Sequence, residues 1–324
     1  MSSSGYERRD SYHVATVHES FLAEVLMMLR KPQKELPSKY LYDERGSQLF
    51  ERICDLQEYY LPRIEASIMQ ACINEVAEKI GPRAFLIEYG SGNCEKVRFL
   101  LDNIHDPVAY APIDISWEQL AHVARGLASE YPGLEICPVC ADFLSHFDLP
   151  TPKRPAECIV VYFPGSTIGN LDPISATRFL ESVAGVCGRG GALLIGVDLK
   201  KAPAVLHSAY NDKEGITAAF NLNLLQRLNR ELGCDFQPES FQHYAFYNPW
   251  ESRVEMHLVS QRDQVVHING EPVAFDRNES IWTESSYKYN LDEFEQITTA
   301  AGFEVEQVWL DDQQWFSVQY LVAR

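Results

Sequence analysis

The chain has 324 residues, with 28 Lys and Arg against 46 Asp and Glu for a formal net charge of −18; 46% of it is hydrophobic and 11% aromatic. That apolar content excludes a disordered or low-complexity chain, and the length suits one large domain or two modest ones. The acidic balance excludes nucleic acid and anionic membrane surfaces as main partners, because phosphate contacts need a surplus of Lys and Arg.

The first residues, MSSSGYERRDSYH, have no apolar run of the secretory type and read as a polar tail over 1–14. No window approaches the roughly 18 continuous apolar residues of a membrane span. Phe21, Leu22, Val25, Leu26 and Leu29 recur at helical spacing until Pro32 ends the run. After an aromatic, charged stretch, Pro62 suits the start of a helix. Its apolar stripe runs through Ile64, Ile68, Cys72, Ile73, Val76 and Ile80, and Gly81-Pro82 stops it.

From there strands and helices alternate. AFLIEY (84–89), YAPID (110–114), LEICPV (134–139), ECIVVYF (157–163) and GALLIGVD (191–198) read as strands. Helices are expected through Val97, Leu100 and Leu101, over 117–130, and through Phe179 and Val183. This pattern predicts an α/β fold, a Rossmann-like parallel sheet covered on both faces. Residues 203–232 look helical, and 241–289 read as antiparallel strands. LDEFEQITTAAGF then makes a helix, and EVEQVWLD and WFSVQYLVA two closing strands. The expected division is a cofactor domain over 62–200 plus 290–324, and a second, mixed α+β domain over 15–61 plus 201–289.

Of eight cysteines only Cys137 and Cys140 form a C-x-x-C, with no second pair to complete a zinc set. The expectation is buried, inert thiols in a reduced, cytoplasmic protein, with no metal.

Chemistry concentrates at strand ends, where open α/β sheets place ligands. The first strand leads into Glu88-Tyr-Gly90-Ser-Gly92-Asn. The third glycine of a dinucleotide fingerprint is absent, so a ligand without phosphates, S-adenosylmethionine, fits better. Asp114 ends the second strand, where a carboxylate suits ribose hydroxyls. Asp142-Phe143 follows the third, where an acid and a ring suit adenine. Lys96, early in the glycine-loop helix, suits the methionine carboxylate.

The loop after the fourth strand reads Y-F-P-G-S-T-I-G-N-L. With YDERGSQLFERICDLQEYYLPRIEA (42–66), it resembles the histidine Nα-methyltransferase family of ergothioneine biosynthesis, from about residue 30 to the end. The resemblance implies a class I methyltransferase with an added substrate domain, which trimethylates the α-amine of L-histidine to hercynine. It implies a cofactor pocket of Tyr42, Phe50, Gly90, Lys96, Asp114, Asp142 and Phe143. The substrate carboxylate falls to Asn170 and Tyr210, and the amine to Gly165 and Thr167. The imidazole falls to Tyr59, Glu284 and Ser286, with Met256 lining the ring pocket. Two positions depart from the family's pattern: Ser116 replaces the second acid after Asp114, and Pro164 precedes Gly165.

Three other readings compete: the same reaction on another amino acid, such as tyrosine or a tryptophan derivative; a nicotinamide-dependent dehydrogenase; and a silent binding protein that kept the fold. Under the leading reading, the protein is a monomer acting on a small molecule.

Overall fold

The computed structural model describes residues 19–92, 94–145 and 147–324. The tail read over 1–14 lies outside the described residues. The chain divides into two compact units. The larger consists of Tyr60–Ala202, Trp250–Arg253 and Ser286–Arg324, and the smaller of the chain up to Tyr59, Pro203–Pro249 and Val254–Ser285.

In the larger unit, helix α3 (Leu61–Ile80) precedes strand β2 (Ala84–Tyr89), α4 (Glu95–Leu101), β3 (Ala109–Asp114) and α5 (Trp117–Glu130). Two short strands, β4 (Glu135–Ile136) and β5 (Val139–Cys140), follow, then β6 (Cys158–Phe163), α6 (Pro173–Cys187) and β7 (Ala192–Asp198). The unit closes with α9 (Leu291–Ala300), β13 (Phe303–Leu310) and β14 (Phe316–Ala323). The sheet order is β13-β14-β7-β6-β2-β3-β4, with β5 also on β3. Pairing is parallel from β7 through β4, and antiparallel where β14 joins β7 and β13 joins β14. The expected third strand, 134–139, is two fragments, because Pro138 lacks the N–H a continuous ladder needs.

The core is a continuous apolar layer. It includes Ile87, Ala111, Val161, Phe163, Leu180, Ile195 and Phe294, all fully buried. The stripe of α3 differs from the sequence reading by one position. Glu65, not Ile64, lies on the buried face with Ile68, Met69, Cys72, Ile73, Val76 and Ile80. Residues 65, 68, 69, 72, 73, 76 and 80 share the helical period, so a carboxylate stands where the pattern calls for an apolar side chain.

In the smaller unit a helix, α1, covers 19–29 of the described residues. It is followed by β1 (Lys34–Glu35), α2 (Glu44–Asp55), α7 (Pro203–Tyr210) and α8 (Ile216–Leu232). The expected helical stretch 203–232 is thus broken, and Gly215 in a left-handed conformation begins its second half. Strands β8 (Phe241–Asn248), β9 (Arg253–Ser260) and β12 (Ser280–Tyr287) form a sheet in the order β1-β12-β9-β8. Strands β10 (Gln264–Ile268) and β11 (Glu271–Phe275) make a separate antiparallel hairpin. Two features differ from the reading of 241–289: β11 was not anticipated, and β1 joins β12 in parallel. Asp43 caps α2 by accepting the Gly46 N–H at 2.7 Å, and ties α2 to α8 through Asn223 and Arg230.

Candidate active site

In the larger unit, the glycine turn after β2 is left-handed at Gly90 (φ 68°) and Gly92 (φ 52°), a backbone that side chains resist. Asp114, at the end of β3, accepts the Gly92 N–H at 3.1 Å through Oδ2 and the Ser116 N–H at 3.0 Å through Oδ1. Its carboxylate therefore shapes two loops at once, and Ser116 contributes its backbone rather than a second acid. The Ala141 N–H bonds the Asp114 carbonyl at 3.0 Å, which brings the Asp142-Phe143 loop alongside. Phe143 stacks on Tyr89, with centroids 6.0 Å apart and planes 10° apart. Its ring edge lies 3.6 Å from the point a Gly90 side chain would occupy. Gly90, Asp114, Asp142 and Phe143 thus converge at the carboxyl ends of β2, β3 and β5.

Beside this turn Glu88 is fully enclosed. Burial pushes its carboxyl pKa up to about 8, against the opposing hydrogen bond from the Tyr110 hydroxyl and the charge of Lys96. It is therefore largely protonated at neutral pH.

Lys96 has a partner that sequence reasoning missed. Its Nζ donates to Glu65 Oε2 at 2.6 Å, and the other carboxylate oxygen accepts the Gly165 N–H at 2.7 Å. Gly165 is left-handed (φ 79°), and a Cβ there would stand 3.1 Å from Lys96 Nζ. Thr167 Oγ1 donates to the Pro164 carbonyl at 3.1 Å, and Asn170 ends the short 3-10 turn Thr167–Asn170. Ser166, also left-handed, accepts the Asp198 N–H on Oγ at 2.9 Å. The loop after β6 is therefore tied both to α3 and to the end of β7.

At that end, Asp198 lies in a buried network. Its carboxylate accepts from Tyr60, from Lys201 and, at 2.7 Å, from Lys288. Desolvation lowers the Lys201 pKa to about 8 despite the attraction of Asp198. Lys288, fully buried, also donates to Ser286 Oγ at 2.7 Å.

The smaller unit gathers a second set. Tyr59 stands 6.2 Å from Tyr210 and 6.2 Å from Phe50, centroid to centroid. Tyr42 packs edge-on against Phe50 and Phe220 at 5.5 and 5.4 Å. Burial raises the phenol pKa values of Tyr42 and Tyr59 well above the ordinary range, and Glu284 raises both further. Tyr42 and Phe50, expected with the cofactor residues, therefore share a unit and an aromatic cluster with Tyr59 and Tyr210. Phe220, on the buried stripe of α8, packs in the same cluster. Met256 is buried on β9, and its carbonyl accepts from Thr283 at 3.0 Å. His243 Nε2 lies 2.9 Å from the Tyr210 carbonyl, and burial lowers its pKa, favouring the neutral ring.

The C-x-x-C thiols are not both buried: Cys140 is exposed and Cys137 half-buried. The short strand β5 is paired with β3 at the edge of the sheet, off the main strand order. Among the described residues no group of three or more His, Cys, Asp and Glu converges to hold a metal. No helix among them is long and apolar enough to cross a membrane.

The profile of the family described as "Histidine-specific methyltransferase, SAM-dependent" matches residues 21–323. The chain belongs to this methyltransferase family. It is 39% identical over 301 residues to the histidine N-alpha-methyltransferase of Mycobacterium tuberculosis, covering 91% of this chain and 92% of that one. The enzyme of the same name from Mycolicibacterium smegmatis is 38% identical over 299 residues, covering 90% and 92%. Ergothioneine biosynthesis protein 1 of Neurospora crassa is 33% identical over 311 residues, 88% of this chain but only 33% of that longer protein.

The cofactor of this methyltransferase family is S-adenosylmethionine, and the strand-end residues of the larger unit fit it. A turn without side chains at Gly90 and Gly92, a strand-end carboxylate at Asp114 and an aromatic face at Phe143 suit an adenosine. The missing third glycine suits a ligand without a pyrophosphate.

Proposed function

We propose that the protein trimethylates the α-amine of L-histidine, giving hercynine, in an ergothioneine-type pathway. When bound, the cofactor supplies an electrophilic methyl on a sulfonium. The chain's own residues supply binding and orientation. In the larger unit, Asp114, Asp142, Phe143 and Gly90 hold the adenosine, and Lys96 serves the methionine carboxylate. Asn170 holds the histidine carboxylate, Gly165 and Thr167 face the amine, and Ser286 addresses the ring. In the smaller unit, Tyr210 is assigned to the histidine carboxylate, Tyr59, Glu284 and Met256 to the imidazole, and Tyr42 and Phe50 to the cofactor.

An amine attacks only as the neutral base, and a peptide α-amine titrates near pH 8, so each transfer follows loss of a proton. Positioning is the larger contribution, worth up to about 7–11 kcal/mol in favourable cases. The observation that carries the histidine reading is the aromatic cluster of the smaller unit, in which Glu284 acts electrostatically on both Tyr42 and Tyr59. A carboxylate in such surroundings requires a donor. An imidazole N–H can donate to this carboxylate, which a Phe or Leu side chain cannot do.

The test is incubation of the purified protein with S-adenosylmethionine and each of the twenty amino acids in turn, read by mass spectrometry. Histidine gaining up to three methyl groups is the expected result. Methylation of another amino acid with none on histidine overturns the specificity.

A further inference from the structure

The strand order of the larger sheet reverses between β2 and β6: from β2 the chain moves outward to β3, and from β6 it moves the other way to β7. Ligands of open α/β sheets bind in the crevice at such a reversal, between the loops leaving the two strands. The loop after β2 carries Lys96 on α4, and the loop after β6 carries Gly165.

One buried side chain joins them. Glu65, only 3% exposed, accepts Lys96 Nζ with Oε2 at 2.6 Å and the Gly165 N–H with Oε1 at 2.7 Å. The fold makes room for it at a third strand: a Cβ on Gly196 of β7 would stand 2.2 Å from Glu65 Oε1. The carboxylate thus has its two oxygens committed to two different loops, and its seat depends on a strand glycine. Both bonds carry charge, which makes them stronger than neutral ones. Gly165 in turn has no side chain to fend off the Lys96 ammonium 3.1 Å from its Cβ position. Pro164, which has no N–H, leaves Gly165 as the first donor of the loop.

We infer that Glu65 is a positioning residue that clamps the acceptor-side loop at Gly165 to the cofactor-side lysine, Lys96, and so sets the distance between methyl donor and amine. This deepens the methyl-transfer reading above and rests on it. Glu65 does not touch either substrate in this account; it acts through Lys96 and Gly165. A loop displaced by about 1 Å is enough to cost a reaction of this kind on the order of 100-fold.

The test compares Glu65→Gln, Glu65→Asp and Glu65→Ala in the full chain. Hydrogen exchange by mass spectrometry over residues 158–171, without ligand, reads the clamp directly. Kinetics with histidine and calorimetry with S-adenosylhomocysteine read its consequence. The Gln amide oxygen still accepts from Gly165, so Glu65→Gln keeps slow exchange, whereas Glu65→Ala exchanges faster there. Glu65→Ala loses about 10–100-fold in kcat, with a smaller change in S-adenosylhomocysteine affinity, and Glu65→Gln loses less. If Glu65→Ala does not fold, Glu65→Asp gives the same reading, because a chain one methylene shorter cannot span both partners. Unchanged exchange over 158–171 in the variants that break the Gly165 bond overturns the clamp. So does an unaltered kcat, or a loss confined to cofactor affinity. A wild-type protein that leaves histidine unmethylated refutes the functional reading instead, and the exchange result still decides the clamp.

Discussion

Lys288 Nζ donates at 2.7 Å to Ser286 Oγ and at 2.7 Å to Asp198 Oδ2, with the Lys288 and Asp198 side chains fully buried. An ammonium only donates, so the Ser286 oxygen is an acceptor toward Lys288 and its own proton points elsewhere. Lys288 lies just past the end of β12, two residues on from Ser286, and it fixes the direction of the serine hydrogen bond. Removing Lys288 leaves Asp198 with Tyr60 and Lys201 as partners. Lys288→Met is expected to destabilise the fold by about 3 kcal/mol, the lower end for breaking a buried pair. Urea unfolding measures it, and an unchanged midpoint refutes it.

Glu88 gives a pH signature. Its folded pKa is raised to about 8 by burial, from an unfolded value near that of a free Glu, about 4.3. Between those values the folded state holds a proton that the unfolded state has released. Its contribution to stability is therefore fully present below about pH 4 and lost as pH rises toward 8. Glu88→Gln, which cannot ionise and keeps an oxygen for Tyr110, is expected to gain on the wild type across that window. Parallel slopes of stability against pH for the two proteins refute the assignment.

Glu284→Ala is expected to raise the KM for histidine by about 10–100-fold, corresponding to a few kcal/mol for a lost charged hydrogen bond. Cofactor affinity stays near the wild-type value. Equal loss of both affinities, or an unchanged KM, counts against recognition of the ring by this carboxylate.

Asp114→Ala removes a proposed ribose contact and also the acceptor of the Gly92 and Ser116 N–H groups. Calorimetry is expected to show the S-adenosylhomocysteine Kd rising by about tenfold or more, in line with a hydrogen bond to a charged group. Asp114→Asn keeps one acceptor oxygen and falls between the two. A Kd unmoved in both variants sinks the role.

Much of the fold follows from local rules. The strand at 84–89 is bounded by breakers on both sides, and the helix over 117–130 follows from its amphipathic sequence. The glycine turn with Asp114, and Asp142 with Phe143, was legible because each lies at a strand end, a position set by the alternation of elements. The failures have local causes too. Pro138 split a strand whose apolar run looked continuous, and Gly215 divided an apparently single helix. The exposed thiol of Cys140 escaped notice because apolar neighbours in sequence do not establish that a strand is covered.

The residues that tertiary structure alone decided are polar groups satisfied far along the chain. In sequence Glu65 is one acid on a charged helix, and its partner Lys96 lies 31 residues away. Tyr60 and Asp198 are 138 apart. Periodicity assigns a side chain to a face but not to a partner, and a buried charge is tolerated only where folding delivers that partner. Length, apolar content and a charge of −18 indicated a folded chain of one or two domains and left a small-molecule partner open. Which carboxylate holds which loop came from the packing of α3 against β7, where Gly196 leaves the space that Glu65 fills.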